Sequence, residues 1–286
     1  MYRTTLEQLS RFPNLAAFST KGGAPGAATD PAFVTALQEG RYSTGEETVD
    51  CLGGASVINV WKPFALPNYQ SSFSQQWYSA KTSSLMQTVE CGWHVDPGRY
   101  SGNFDPHLFT YATRNTYENP GIDSVYNEHG GVFRKVDNPY TSPGAPLLSS
   151  LIDGSQIAYK MGFYLTGGKW WFYFEDHAIG YYPVAWFNNG PLSTRAQVGE
   201  FGGEVARFTP SGWTEMGSGR HASNGFGKAA YQNKAFLHYA SGGAFQANLS
   251  VTGSNSPCYS LQITNHSVSP DWGTYLFFGG PGGSSC

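Results

Sequence analysis

Thr88-Val89-Glu90-Cys91-Gly92-Trp93-His94-Val95 can be read as a strand. Side chains alternate between faces along a strand, so Val89, Cys91, Trp93 and Val95 share one side and Glu90, Gly92 and His94 the other. The first set is a core face. The second, a carboxylate, a gap and an imidazole in a row, describes the floor of a groove in which Gly92 lets a ligand backbone come close. The alternative is a polar stripe facing water on a half-buried sheet. Gly199-Glu200-Phe201-Gly202-Gly203-Glu204-Val205-Ala206 repeats the pattern. Glu200, Gly202, Glu204 and Ala206 fall on one face, Phe201 and Val205 on the other. A glycine inside a strand needs a local cause, either a ligand passing close or a bulge.

Short β-rich segments separated by turn residues fill most of the remaining chain from about residue 41. They include 55–61, Phe73–Ser79, Leu108–Thr113, Gly131–Val136, Ile157–Leu165, Lys169–Glu175, Ala178–Trp186, Lys228–Tyr239, Tyr259–Asn265 and Gly273–Gly279. Many short strands without a fixed repeat predict an all-β, antiparallel β-sandwich. Lys169-Trp170-Trp171-Phe172-Tyr173-Phe174 carries aromatics on both faces, as expected of a central strand that packs on one side and lines a groove with Trp170 on the other. Leu6, Leu9 and Phe12 recur at helical spacing before Pro13. Residues 1–45 therefore read as a short helical N-terminal extension, either a pro-segment remnant or a packed helix, and 46–286 as the β domain.

The 286 residues are only 13% charged and 16% aromatic. Lys and Arg number 17 against 20 Asp and Glu, a net charge of −3. Nothing in that balance neutralises phosphates, which excludes a nucleic-acid partner. No apolar run reaches the ~20 residues of a membrane-spanning helix, so no membrane partner is expected. The start lacks the apolar stretch of a signal peptide. Few charges, abundant Tyr, Trp, Ser, Thr and Gly, and an even cysteine count nevertheless suit an exported protein seen without its leader. Cys51, Cys91, Cys258 and Cys286 allow three pairings. Joining near neighbours in sequence gives Cys51–Cys91 and Cys258–Cys286; four free thiols are the alternative.

Other chemistries lack their motifs. No G-x-S-x-G elbow, H-E-x-x-H helix or phosphate loop occurs, and the seven histidines are scattered. No metal and no cofactor is expected. Two carboxylates brought together repel, so at acidic pH one holds a proton and the pair offers an acid and a base at once. Spacing alone does not choose between peptide and glycoside substrates.

Taken in order, several of these segments resemble the neprosin catalytic domain. Gly54-Ala55-Ser56-Val57-Ile58-Asn59-Val60-Trp61-Lys62-Pro63 is similar to its opening strand, and Val89–Val95 with Leu108-Phe109-Thr110-Tyr111 to its first glutamate motif. Lys169-Trp170-Trp171 and Ile179-Gly180-Tyr181-Tyr182-Pro183 follow, then Gly202-Gly203-Glu204-Val205, which resembles the second glutamate motif. Met216-Gly217-Ser218-Gly219, Gly225–Tyr231, Trp272-Gly273-Thr274-Tyr275 and Phe278–Gly282 complete the series. The resemblance implies a secreted glutamic endopeptidase, acting in acid, cleaving after proline and using Glu90 and Glu204 without a metal. Glu200 is the alternative second carboxylate. Gly92, His94, Tyr111, Trp170 and Gly202 are expected to line the substrate groove. The partner is then a proline-containing peptide, and the chain is expected to act as a monomer. A cysteine pair that plant members of the family carry after Leu-Phe-Thr-Tyr has no counterpart here between Thr116 and Gly131. A sugar-binding module, or a glycosidase using the same carboxylates, is the rival reading.

Overall fold

The computed structural model describes residue 21 and residues 39–66, 70–137, 140–207, 212–253 and 257–286. The helix expected near the N-terminus lies outside the described residues. Among the described residues, fifteen strands run in chain order: β1 Glu39–Asn59, β2 Gln70–Lys81, β3 Met86–Val95, β4 His107–Thr113, β5 Ser124–Tyr126, β6 Arg134–Lys135, β7 Ala158–Thr166, β8 Lys169–Phe174, β9 His177–Pro183, β10 Ala196–Arg207, β11 Ala230–Tyr239, β12 Ala244–Gln246, β13 Ser250–Val251, β14 Ser260–Thr264 and β15 Tyr275–Gly279. Every pairing between them is antiparallel.

The expected sandwich is replaced by one hydrogen-bonded sheet that curls on itself, in the order β5-β4-β3-β2-β10-β1-β7-β8-β9-β6. β1 makes the continuity. Its first half pairs with β10, and its second half with β7 on one edge and β11 on the other. The register shifts between Thr48 and Cys51, and Gly53 follows at φ +102°. A Cβ on Gly53 would lie 2.1 Å from the Phe163 carbonyl oxygen, so only glycine passes this bend. β1 is paired with β10 from Glu39 onward.

The sheet closes around a core built by alternation. Val89, Cys91, Trp93 and Val95 meet Phe163, Trp170, Phe172 and Tyr182 of β7 to β9 in one buried cluster. Trp170 is fully buried, and its indole N–H donates to the Leu192 carbonyl. Its expected place in a substrate groove is therefore corrected: the buried face of β8 is Trp170, Phe172 and Phe174, and Trp171 and Tyr173 are the more open side. A polar seam crosses the interior. Gln76 donates to Ser56 Oγ and the Met161 carbonyl, and Gln232 donates to the Gln75 and Gly202 carbonyls. These bonds satisfy groups that would otherwise be costly to bury.

Cys258 and Cys286 form a disulfide, as the spacing argument expects, with Cα atoms 5.8 Å apart. Cys51 and Cys91 do not pair; both are free, buried thiols. Near in sequence, they sit on β1 and β3, which β10 and β2 separate in the sheet. Burial raises both thiols above their ordinary value, as expected of inert core cysteines.

Candidate active site

Antiparallel register turns the two glutamate segments into a grid. Residues directly opposite one another share a face. Across β1, β10, β2, β3 and β4, one row reads Glu46, Glu200, Trp77, Glu90, Tyr111. The next reads Thr44, Gly202, Gln75, Gly92, Phe109. The third reads Tyr42, Glu204, Phe73, His94, His107. Glu90 and Glu204 therefore lie on a diagonal whose midpoint is Gln75. All of this is the face opposite the main core, floored by a small cluster of Phe73, Phe109, Tyr111, Tyr126 and Ala206.

The two carboxylates converge on one ammonium. Lys21 Nζ is 2.7 Å from Glu90 Oε2 and 2.7 Å from Glu204 Oε2. Those oxygens are therefore at most 5.4 Å apart, twice the 2.7 Å contact. The ammonium also stands over aromatic rings, 5.1 Å from the centroids of Phe73 and Trp77 and 6.0 Å from that of Phe109. Burial alone would lower the Lys21 pKa, but the charges of Glu204 and Glu90 outweigh it and the net shift is upward. Lys21 is thus held as a cation in a cleft of about 600 Å³ lined by Tyr42, Trp77, Tyr111, Tyr117, Glu200 and Glu204.

Each carboxylate has its own donors. Thr88 Oγ1 and the Tyr117 hydroxyl both donate to Glu90 Oε1 at 2.8 Å. Gln75 Nε2 donates to Glu204 Oε2, and the Tyr42 hydroxyl reaches Glu204 Oε1 at 3.5 Å. Burial and the charge of Glu90 push the Tyr117 phenol up, so it stays a donor. For Tyr42 the charge of Glu204 leads and burial follows, in the same direction. Tyr117 stands on a loop whose backbone takes positive φ at Thr116 (+50°), Tyr117 (+61°) and Asn119 (+45°). Such conformations are unfavourable for bulky residues and persist where their surroundings fix them. Here Arg114 pairs with Asp123 at 2.7 Å and Asn119 donates to Asp123 at 2.7 Å, in the segment without the cysteine pair.

The other expected residues separate. Tyr111 lines the cleft. Glu200 lies in Glu90's row, and burial, with the charges of Glu46, Glu204 and Glu90, raises its carboxyl to about 7. His94 is on the Glu90 face but does not open to the groove. It is fully buried, with its ring nitrogens against the Tyr126 and Tyr100 hydroxyls, and burial, then Arg99, lower its pKa well below the ordinary value. Gly92 and Gly202 occupy the groove floor, but strand packing explains them. A Cβ on Gly92 would lie 2.0 Å from the Ser74 carbonyl oxygen, and one on Gly202, at φ +147°, 2.3 Å from that of Ser43. Lys21, Gln75, Tyr117, Thr88 and Tyr42 were not singled out from the sequence. For Gln75 a signal existed: Phe73, Gln75 and Trp77 alternate onto one face, so the glutamine interrupts an aromatic stripe.

Among the described residues no group of three or more His, Cys, Asp or Glu is arranged to hold a metal, and no helix is long and apolar enough to cross a membrane. The chain is similar in structure to scytalido-glutamic peptidase, crystallised with a transition state analog inhibitor. The TM-score is 0.45 at 9% identity, over 84% of this chain and 98% of that one. It is also similar to SCP-B, a member of the Eqolisin family of peptidases in complex with the tripeptide Ala-Ile-His, with a TM-score of 0.43 at 10% identity, over 84% and 98% of the two chains. A family model, Neprosin, matches residues 68–281, a span that includes Gln75, Glu90, Tyr117 and Glu204. The chain belongs to the neprosin family.

Proposed function

We propose that the protein is a secreted glutamic endopeptidase that works in acid, cleaves after proline, and is held latent by Lys21. Membership of the neprosin family supports a peptidase. The observation that carries the mechanism is the convergence of Glu90 and Glu204 on a single point at the base of the cleft. With Lys21 withdrawn, that point suits a water. An ionised carboxylate takes a proton from the water as its oxygen attacks the scissile carbonyl carbon. The other carboxyl, protonated, donates a hydrogen bond to the developing oxyanion. Collapse of the tetrahedral intermediate breaks the C–N bond, and a proton from the pair goes to the leaving nitrogen. The products are a carboxylic acid and an amine, and the pair ends with the proton count it began with. Activity is expected to fall as pH rises.

The ring faces around the Lys21 ammonium support the preference for proline. Phe73, Trp77 and Phe109 form an aromatic box, and a pyrrolidine ring packs on such faces as readily as a cation does. The carboxylate spacing alone would also suit a retaining glycosidase, whose carboxyls stand ~5–5.5 Å apart, so the substrate decides. Wild type and the Lys21→Ala variant, from which the restraining cation is removed, are incubated at pH 3–5 with a proline-containing peptide and a matched peptide without proline, and products are read by mass spectrometry. Cleavage after proline is expected. The Glu90→Gln and Glu204→Gln variants should each lose about 10³-fold or more in turnover. Equal activity in wild type and both variants would remove the mechanism. Cleavage elsewhere would remove the proline preference alone.

A further inference from the structure

We propose that Gln75 is the third polar group of the reaction centre, orienting Glu204 with one end of its amide and the attacking water with the other. This rests on the peptidase reading above. Gln75 is fully buried, yet only half of its amide is satisfied among the described residues: Nε2 donates to Glu204 Oε2, and Oε1 has no partner there. A buried amide oxygen without a donor costs free energy that a fold does not normally leave uncompensated. Here the uncompensated atom belongs to the side chain at the midpoint of the Glu90–Glu204 diagonal.

Its surroundings hold it there. The Gln75 backbone carbonyl accepts from Gln232 Nε2 at 3.0 Å. Its cross-strand neighbours are glycines on both sides, Gly202 and Gly92. A Cβ on Gly92 would stand 2.8 Å from the Gln75 Cβ. The two glycines therefore leave the glutamine as the one side chain of its row between Thr44 and Phe109.

The chemistry needs such a group. A water poised to attack has two O–H bonds and must aim a lone pair at the carbonyl carbon. One O–H points to the ionised carboxylate. If the second donates to Gln75 Oε1, the lone pair is fixed in direction, which is the orientation that effective molarity requires. Gln75 gains and loses no proton. An amide also stays neutral across the acidic range, whereas a fourth carboxylate at this point would add repulsion to a cluster that already holds Glu90, Glu200 and Glu204.

Protonated glutamate has the shape of glutamine, with an acceptor C=O and a donor O–H. The Gln75→Glu variant should therefore work only where that added carboxyl is protonated. The groups facing it are Glu200 and Glu204 from β10, Glu90 and His94 from β3, Tyr42 and Glu46 from β1, Tyr111 from β4, Tyr117 from the loop, and Lys21. Most of its charged neighbours are acidic, so its ionisation is opposed, and the loss of activity sets in as pH rises.

Wild type, Gln75→Met, Gln75→Glu and Glu90→Gln are compared for kcat, KM, pH profile and Tm on the proline-containing peptide. Gln75→Met is expected to lower kcat by about 10²-fold, the scale of one lost polar contact to a reacting group. Its KM should stay within twofold and its Tm near that of wild type. Gln75→Glu is expected to regain wild-type kcat at the acid end and lose it at higher pH. Wild-type kcat in Gln75→Met, or a loss confined to KM and Tm, would overturn the proposal, as would a Gln75→Glu profile parallel to wild type. Those results leave Glu90→Gln inactive and the peptidase reading intact. Cleavage by wild type and Glu90→Gln alike would overturn both.

Discussion

Glu200 shares a row with Glu90 and a strand with Glu204, and it shows what the fold demands of a carboxyl that lines the cleft. Burial and three neighbouring carboxylates raise its pKa from 4.5 to about 7. Below about pH 4.5 the folded and unfolded chains both carry that proton. Between there and about 7 the unfolded chain releases it and the folded chain keeps it, so this group erodes stability as pH rises and adds no further loss above 7. Glu200→Gln should therefore raise Tm relative to wild type at pH 7 and leave the difference near zero at pH 4, measured by thermal melts across that range. A difference that does not grow with pH would contradict the raised carboxyl. At this scale the sequence is readable where a residue's role is local. Glu90 and Glu204 stand on strands whose own alternation gives their face. Lys21 meets partners 69 and 183 residues away, and nothing around it in the chain announces an ion pair. Cys51 and Cys91 failed for the reverse reason: closeness in sequence says little about closeness across a sheet.

β2, β3 and β10 were legible as strands because their side chains alternate cleanly, and the two interior glycines were legible as exceptions needing a cause. The cause differs from the one expected. The glycines admit the neighbouring strand's carbonyl. Gly92→Ala is accordingly a folding mutation first: a methyl 2.0 Å from the Ser74 carbonyl oxygen and 2.7 Å from the Gln75 Cα can be relieved only by moving backbone. A loss of ~3 kcal/mol is expected from such overpacking, read as a lower midpoint in urea unfolding. An unchanged midpoint would show that the strands have slack there. Trp170 was misplaced because a strand with aromatics on both faces does not reveal from sequence which face meets solvent. The hydrogen bond from its indole to Leu192 comes from a turn some twenty residues on, beyond any local pattern.

For the whole molecule, the all-β, antiparallel class followed from the number and spacing of short strands. The continuity of the sheet did not, because it depends on one long strand bending at Gly53 and serving two neighbourhoods. The proposed latency also belongs to this scale, since Lys21 pairs with Glu90 of β3 and Glu204 of β10. Lys21→Ala in the full chain should raise the initial rate of peptide cleavage at pH 5 at least about tenfold, by the loss of a desolvated, doubly paired cation from the site. Lys21→Met, which keeps length and loses charge, should behave alike. Initial rates equal to wild type would mean that the cation does not restrain the enzyme. One further consequence follows from β1. Proteases digest backbone that can be drawn out of its hydrogen-bonded partners, and β1 is laddered to β10 from Glu39 onward, with Arg207 clasping Glu39 at that first rung. The same strand carries Tyr42 to Glu204 three residues later. Digestion of the full chain by an aminopeptidase should therefore slow at the first rung of β1, Glu39 with Arg207, after Lys21 has been removed.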